Sequence, residues 1–341
     1  MKRLLSTNRL SIALLLLLAP TLAMAKAHGP LTAEQRAIFH GTAEDPPPEK
    51  LDATRKDLEG RHYLSGDERN LHLFYEHVKD LGGGYMGVGS DQAYMFAGWQ
   101  KPEFVWLSDY DPWIKWEHMA YHAIFEASPD IKTFRSHFAR KNVKQTIKFL
   151  EEHYKDHPEQ RKVTFVFANA AHKIARRLRR LKSWAKKYKV PNFVSDEAQY
   201  QFVRDLVMEG RVRPMRANLL DDEGLVGIAE AARKLGVPMR VMYPSNAEQY
   251  WPFSDQYKAN IRAQNWDDKS VIVRTLGIKH WNDDYHYMVQ PAQNFLRWLE
   301  ADFIKGIKQV YPWKRPKGPD EIPFSVVNDD PERARPKKRK K

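Results

Sequence analysis

Strand-like and helix-like segments alternate along most of this chain, and this alternation restricts its fold more than any other feature. Apolar runs typical of strands lie at 84–89, 104–107, 212–217, 239–243, 270–275 and 285–290. Helix-like segments lie between them at 113–127, 136–153, 172–188, 195–209, 224–235 and 291–310, and 162–167 is a further candidate strand. Parallel strands need such crossovers, whose helices cover both faces of the sheet. We therefore predict an α/β fold with a doubly wound, mostly parallel sheet and a helical insertion around 130–210.

The first 25 residues have the pattern of an export signal. Basic residues precede the apolar run 10–18, and Ala-Met-Ala at 23–25 is the small-x-small pattern of a cleavage site. The apolar run is shorter than the roughly 20 residues that span a bilayer. We predict a signal peptide cleaved after Ala25, a mature chain that is not transmembrane, and a periplasmic or secreted location. The alternative is an uncleaved membrane anchor.

Two flanking regions differ in composition from the body of the chain. Residues 26–60 include the Pro-rich, charged stretch 43–56, which predicts a linker or an extended arm. Residues 312–341 form a Pro-rich, basic tail that we expect to be disordered beyond about Asp330. The segment 61–311 between them has the length of one large α/β domain. The chain has no cysteine, which excludes disulfides and thiol catalysis.

The formal net charge of +13 is concentrated in two places. Residues 173–189 carry nine basic and no acidic residues, and the last ten residues carry seven basic and one acidic residue. Apolar residues recur at helical spacing within 172–188, so this segment is predicted to be a basic amphipathic helix. It suits an anionic envelope surface, and the alternative is a helix whose basic face meets only water. We do not expect nucleic acid as a partner, because the rest of the body is acidic on balance.

A glycine turn and an acidic strand end point to a nucleotide-type site. The first strand runs into the turn 87–92, where glycines let the backbone turn tightly and approach a ligand. The second strand ends in Asp109 and Asp111, where dinucleotide-binding folds place an acid that contacts ribose hydroxyls. The turn contains G-x-G but lacks the third glycine of that fingerprint. The alternative is that the glycines form only a flexible strand entry and that the acids are ordinary helix caps.

Four segments carry a resemblance to a known group of proteins. They are GGGYMGVGSDQ at 82–92, WLSDYD at 106–111, PSNAEQYW at 244–251 and SVIVRT at 270–275. Together they resemble an uncharacterised family of exported bacterial proteins. That family is similar to a variant of the class I S-adenosylmethionine-dependent methyltransferase fold, a Rossmann-like sheet. The resemblance covers roughly residues 63–310.

The resemblance implies a cofactor site along the carboxyl ends of the strands. Gly87 and Gly89 would line the methionine part of S-adenosylmethionine, and Asp109 or Asp111 would bind its ribose hydroxyls. Asn218 stands where this fold often has an acid beside the adenine. The cofactor-binding residues implied are Gly87, Gly89, Ser90, Asp91, Asp109, Asp111, Asn218, Ser245, Asn246 and Glu248.

These observations leave three alternatives for the function of the protein. S-adenosylmethionine is made in the cytoplasm, so an exported chain of this fold either binds another nucleotide-like small molecule, has lost catalysis, or is a non-enzymatic envelope protein. In the last case it would dock on anionic surfaces through the basic helix and the basic tail. A shared fold does not decide between them.

Three further groups of residues have both a functional and a structural interpretation. His118 and His122 share a helix face like paired metal ligands, or they are ordinary hydrogen-bonded histidines. His280, Asp283, Asp284 and His286 could supply an acid–base pair, and a polar loop with capping acids is the alternative. The aromatic residues of the C-terminal half could stack on a ligand or form core; they are Trp251, Phe253, Tyr257, Trp266, Trp281, Tyr285 and Tyr287.

Overall fold

The computed structural model describes residues 28–51, 56, 59–277, 284–312 and 321–336. The predicted signal peptide and its cleavage position after Ala25 lie outside these residues. The strands are β1 (Gly84–Gly87), β2 (Phe104–Asp109), β3 (Val212–Arg216), β4 (Met239–Ser245), β5 (Val271–Leu276), β6 (His286–Pro291) and β7 (Phe324–Val326). The helices before β4 are α1 (Ala33–His40), α2 (Tyr75–Val78), α3 (Gln92–Gln100), α4 (Pro112–Ala127), α5 (Ile131–His137), α6 (Val143–His153), α7 (Gln160–Tyr188), α8 (Glu197–Met208) and α9 (Gly224–Lys234). Those after β4 are α10 (Asp255–Ala263), α11 (Ala292–Glu300) and α12 (Ile307–Val310).

The strands form one sheet in the order β3-β2-β1-β4-β5-β6-β7. Strands β1 to β5 are parallel to one another, β6 is antiparallel to β5, and β7 is parallel to β6. The strand order reverses between β1 and β4, as in doubly wound Rossmann-like folds. The predicted α/β class with a mostly parallel sheet is therefore confirmed. Ligands of such sheets bind outside the carboxyl ends of the strands at this reversal.

Each face of the sheet has its own hydrophobic core, because side chains alternate along a strand. Tyr85 and Val105 point to the face covered by α3, α4, α7 and α8. Met86 and Trp106, one residue further along each strand, point to the face covered by α9, α10 and α11. The helical insertion, α5 to α8, thickens the first layer and places α7 beside the strand ends.

The predicted strand at 162–167 is wrong, because these residues belong to the 29-residue helix α7. The run KVTFVF is rich in β-branched and aromatic residues, which favour strands in a short window. Its buried residues nevertheless continue at helical spacing through Val163, Phe167, Ala170 and Ile174. Two predicted helices are also divided: 136–153 is the end of α5 followed by α6, and 291–310 is α11 followed by α12.

The N-terminal arm, residues 28–48, covers the outer edge of β3 and contains helix α1. The Arg213 guanidinium donates to the Phe39 carbonyl at 2.8 Å and also to the Thr42 carbonyl. The buried Asp45 carboxylate accepts three backbone amides around the start of α9, those of Asn218, Glu223 and Gly224, at 2.7 to 3.1 Å. The arm is therefore part of the domain and protects an edge strand.

The start of the C-terminal tail is also integrated into the fold. Strand β7 extends the sheet, and the Asp329 carbonyl accepts the Trp298 indole N–H at 3.0 Å. A 3-10 turn, Pro331–Ala334, follows, and the Arg333 guanidinium lies over the Trp298 ring. The disorder that we expected beyond Asp330 thus does not apply to residues 331–336, where this packing orders the chain.

Candidate functional site

The candidate site lies at the reversal of strand order, where the glycine turn and the acidic strand end meet. The Gly89 amide donates to Asp109 Oδ2 at 2.8 Å. The Gly89 carbonyl accepts His118 Nε2 at 2.9 Å, and Tyr94 donates to the other ring nitrogen of His118. Burial lowers the pKa of His118 to about 4, so this histidine is neutral and positions the turn.

The two glycines of the turn are required by close packing within the chain itself. Gly89 has φ of +85°, and a side chain there would strike the amide of Gln92, which folds over the turn. A side chain at Gly87 would strike the Tyr85 hydroxyl and would lie 3.0 Å from Tyr243 Cβ. Gln92 therefore fills part of the space through which a ligand would approach the glycine turn.

Asp109 is the acid at the end of β2, and its pKa is raised. Its carboxyl accepts the backbone amides of Gly89 at 2.8 Å and Asp111 at 2.9 Å. Burial raises the pKa of Asp109 to about 7, with a smaller contribution from the charge of Asp111. A carboxylate oxygen has two lone pairs, so both oxygens keep acceptor capacity for a ligand hydroxyl. A carboxyl that titrates near neutral pH in a crevice is a candidate functional group.

Asp111 pairs with a histidine that the sequence analysis missed. It caps α4 by accepting the Trp113 amide at 2.9 Å, and His62 Nδ1 lies 2.8 Å from its Oδ2. The His62 ring stacks on Trp113 at 3.7 Å between ring centroids. Burial raises the pKa of Asp111, whereas the contact with His62 lowers it. No local motif marks His62, because it lies 49 residues from Asp111.

Residues 61–70, which we call the cover segment, cross the carboxyl ends of the strands. The segment begins near the end of β2, where His62 meets Asp111, and the Gly66 amide donates to Asp91 Oδ1 at 2.9 Å. Glu68 then enters the crevice at the strand reversal, where it accepts the Tyr243 hydroxyl at 2.6 Å. The crevice in which a ligand of this fold would lie is thus occupied by the chain itself.

Arg177 joins the helical insertion to the crevice and was also missed. Its Nε donates to Asp91 Oδ2 at 2.8 Å, and its Nη1 donates to the Glu68 carbonyl at 2.7 Å. Burial disfavours the charged guanidinium, yet Asp91 and Glu68 together raise the pKa of Arg177. Burial raises the pKa of Glu68, against the opposing effect of Arg177.

Glu117 is a buried acidic residue of α4 near the same site. It is 1 % exposed, and neither carboxyl oxygen has a hydrogen-bond partner among the described residues. Burial and then the charges of Asp91, Asp111 and Asp109 raise the pKa of Glu117 well above its usual range. Burial therefore favours the protonated form of Glu117.

The remaining predicted cofactor residues have different environments. Ser90 and Asp91 are buried beneath the cover segment, and Ser245 Oγ lies 3.3 Å from the Thr275 hydroxyl. Asn246 donates to the Tyr250 hydroxyl at 2.9 Å, and the Asn218 side chain donates to Asp221 at 3.1 Å.

Glu248 has a structural role. It is fully buried in an ion pair with Arg274 and accepts the Tyr257 hydroxyl, so its carboxylate is used within the fold. The predicted residues that the structure brings together are therefore those of the glycine turn and the ends of β2 and β4.

The other proposed groups of residues are used mainly in packing. His118 has partners for both ring nitrogens, and no three or more acidic or histidine side chains of the described chain are arranged to hold a metal. Asp284 accepts the Tyr287 hydroxyl, and His286 contacts Ser325 and Tyr311. His280, Trp281 and Asp283 lie outside the described residues. The remaining aromatic residues of that half divide between core and surface: Phe253, Tyr257 and Tyr287 are buried, Trp251, Trp266 and Tyr285 are partly buried, and Tyr250 is exposed.

The basic helix α7 leaves a row of unpaired cations on its outer side. Its buried stripe includes Ile174, Leu178 and Leu181. Within the basic segment 173–189, the exposed cations without an ion pair to a described carboxylate are Lys173, Arg176, Arg179, Arg180, Lys182, Lys186, Lys187 and Lys189. None of the helices that the structure describes combines the length and apolar composition that crossing a bilayer requires.

A family model described as a domain of unknown function (DUF7790) matches residues 63–315. No curated protein matches the chain. The matched range begins in the cover segment and ends after α12, so it contains the candidate site except His62.

Proposed function

The chain belongs to the DUF7790 family, whose description gives no activity, and we propose that its crevice binds a nucleotide-like small molecule. The observation that carries the proposal is the 2.8 Å hydrogen bond between the Gly89 amide and Asp109. It joins a glycine turn to an acid at the end of the neighbouring strand, which is the arrangement that binds ribose in Rossmann-like folds. Asp109 accepts the ribose hydroxyls, and the glycine turn receives the adjoining part of the ligand.

S-adenosylmethionine is the first ligand to test, because the four sequence segments resemble the methyltransferase fold. Gln92 must turn away from Gly89 and the cover segment must lift before such a ligand can enter. The export pattern of the first 25 residues favours a ligand available outside the cytoplasm, so S-adenosylhomocysteine and adenosine are tested beside it.

Calorimetric titration of the chain with these three compounds tests the proposal. We expect saturable binding of at least one compound, weakened at least about tenfold by Asp109→Asn, because a hydrogen bond to a charged acceptor contributes about 1.5–3 kcal/mol. Asp268→Asn is the matched control, since Asp268 is exposed at the opposite end of the sheet. Equal affinities of wild type and Asp109→Asn, or no binding of any of the three compounds, would refute the proposal.

A second candidate function is docking on an anionic envelope surface, favoured by the eight exposed cations of residues 173–189 that have no ion pair to a described carboxylate. Each such cation contributes about 1 kcal/mol when it lies near an anionic membrane surface. The basic residues of the tail would add to this attraction. An exported chain with this helix would then reside at the membrane surface without spanning it.

Vesicle sedimentation tests this second function. We expect binding to vesicles containing phosphatidylglycerol, loss of binding in high salt, and no binding to pure phosphatidylcholine. The double variant Lys182→Glu/Lys186→Glu should bind at least about 30-fold more weakly, corresponding to about 2 kcal/mol for two cations. The control pair Lys144→Glu/Lys148→Glu makes the same charge change at exposed positions of the neighbouring helix α6. Equal weakening by both pairs, or binding that ignores salt, argues against docking through α7.

A further inference from the structure

The buried guanidinium of Arg177 is incompletely bonded. The side chain is 3 % exposed, and its Nε and Nη1 have partners, whereas its Nη2 has none. Glu68 Oε2 lies 3.7 Å from Nη2 and is itself without a hydrogen bond. Buried donors and acceptors are nearly always bonded, so two unbonded, oppositely charged atoms in one contact require an explanation.

Three unbonded polar atoms face the same point beside Gly66. A carbon added to Gly66 would lie 2.8 Å from Glu68 Oε2, 2.9 Å from Arg177 Nη2 and 3.1 Å from Gln92 Oε1. None of these three atoms has a hydrogen-bond partner in the described chain. The hydrogen-bonding capacity of these three neighbouring atoms is therefore unused in the closed chain.

Glu68 belongs to the cover segment, which is held in position mainly by polar contacts. Asp67 accepts the Tyr285 hydroxyl at 2.9 Å, and the Asn70 amide donates to the Tyr287 hydroxyl at 2.9 Å. Tyr63 is 54 % exposed, and only Leu64 of the segment contributes a buried apolar side chain. Segments with few buried apolar contacts open at low free-energy cost.

We propose that Arg177 is an anion-binding subsite of the crevice, which Glu68 occupies in the closed chain. The carboxylate or phosphate of a ligand displaces Glu68 and binds Nη1 and Nη2 while Asp91 holds Nε. A planar guanidinium binds both kinds of anion through two parallel hydrogen bonds. A ligand carboxylate replaces the Glu68 carboxylate one for one, whereas a phosphate brings additional negative charge to the site. The inference rests on the proposed function only in taking the crevice as the ligand site.

Rescue by small anions tests the subsite. Glu68→Ala removes the internal carboxylate, and added acetate or inorganic phosphate should then bind Arg177 and the Tyr243 hydroxyl. We expect either salt to raise the Tm of Glu68→Ala saturably relative to sodium chloride of equal ionic strength. The wild type, in which Glu68 competes, should need at least about tenfold more anion for the same shift. A stronger effect of acetate identifies a carboxylate ligand, and a stronger effect of phosphate identifies a phosphate ligand.

The control is Asp67→Ala, which removes the neighbouring carboxylate without touching Arg177. Equal anion effects in Asp67→Ala and Glu68→Ala, or no effect in either, would overturn the subsite. If Glu68→Ala does not fold, Glu68→Ser is used, because its hydroxyl keeps a partner for Tyr243. No nucleoside is present in these measurements, so their outcome is independent of whether the crevice binds a nucleotide-like ligand.

Displacement of the cover segment is measured separately by thiol labelling, because the chain has no cysteine of its own. Ser90 is 1 % exposed, next to the Asp91 that accepts the Gly66 amide, so Ser90→Cys reports opening. We expect at least about tenfold faster labelling of Cys introduced there in the Glu68→Ala background than in the otherwise wild-type background. Ser128→Cys, fully buried at the end of α4, should label equally in both. Equal rates at the Ser90 position contradict displacement.

Discussion

Replacing Asp109 with Asn should change how the stability of the protein depends on pH. The Asp109 carboxyl lies between the amides of Gly89 and Asp111, and burial raises its pKa from 3.8 to about 7. The folded protein therefore keeps a proton on this side chain over a pH range in which the unfolded chain has already lost it. Asn has nearly the same shape and does not titrate. Its NH2 group replaces one of the two oxygens that accept backbone amides, so its stability is offset from that of wild type by an amount that does not depend on pH.

The sign and the size of the effect follow from the two pKa values. The contribution of Asp109 to stability is fully present below pH 3.8 and is lost as pH rises to about 7. Each unit in that window lowers the free energy of unfolding by about 1.4 kcal/mol. Over the whole window the loss is about 4 kcal/mol. The free energy of unfolding of wild type relative to that of Asp109→Asn should therefore be about 4 kcal/mol lower near pH 8 than near pH 4.

Urea unfolding at a series of pH values measures this difference. The free energy of unfolding of wild type minus that of Asp109→Asn should fall steadily between about pH 4 and about pH 7 and then level off. The difference in the free energy of unfolding between wild type and Asp268→Asn, at an exposed aspartate, should not change with pH. A flat difference for Asp109→Asn, or one that rises with pH, would refute a raised pKa for this carboxyl.

Three further predictions concern contacts that hold the site. Asp45→Ala should destabilise the protein by about 3 kcal/mol in urea unfolding, because three amides lose a charged acceptor; a change below about 0.5 kcal/mol would show that the arm is dispensable. Gly89→Ala should cost about 2 kcal/mol by the same assay, since φ is +85° and Gln92 fills the side-chain space. Arg274→Met should cost about 3–5 kcal/mol by leaving the Glu248 carboxylate buried and unpaired. Adding Glu248→Gln should recover part of that loss, and a further loss would contradict the pairing.

The parts of the structure that the sequence predicted are those determined by local pattern. The alternation of strand-like and helix-like segments predicted the parallel sheet, because each pattern has its own period and crossovers need helices. The spacing between the glycine turn and Asp109 placed both at adjacent strand ends, and the structure joins them by a hydrogen bond. At 162–167 a short window was misleading, because side chains suited to a strand also formed one buried stripe of a long helix.

The rest of the site could not be predicted, because it depends on contacts between distant parts of the chain. Arg177 meets Asp91 across 86 residues, and Glu68 meets Tyr243 across 175. Neither pair has a spacing or a motif that would join it in the sequence. The cover segment carried no signal either, since 61–70 is a loop whose place is fixed by the strand ends beneath it. Arg177 itself lay within a basic run, where one buried cation among exposed ones has no distinguishing composition.

The arm that covers β3 has a consequence for the order in which the chain becomes folded. Its contacts with Arg213 join residues that are 171 and 174 positions apart in the chain. Residues 28–48 therefore cannot dock until β3 has joined the sheet. Contacts of such long sequence separation form slowly. The first-synthesised part of the described chain is thus among the last to dock. Until it does, the outer edge of β3 is free to pair with other chains, which makes the protein prone to aggregation during folding.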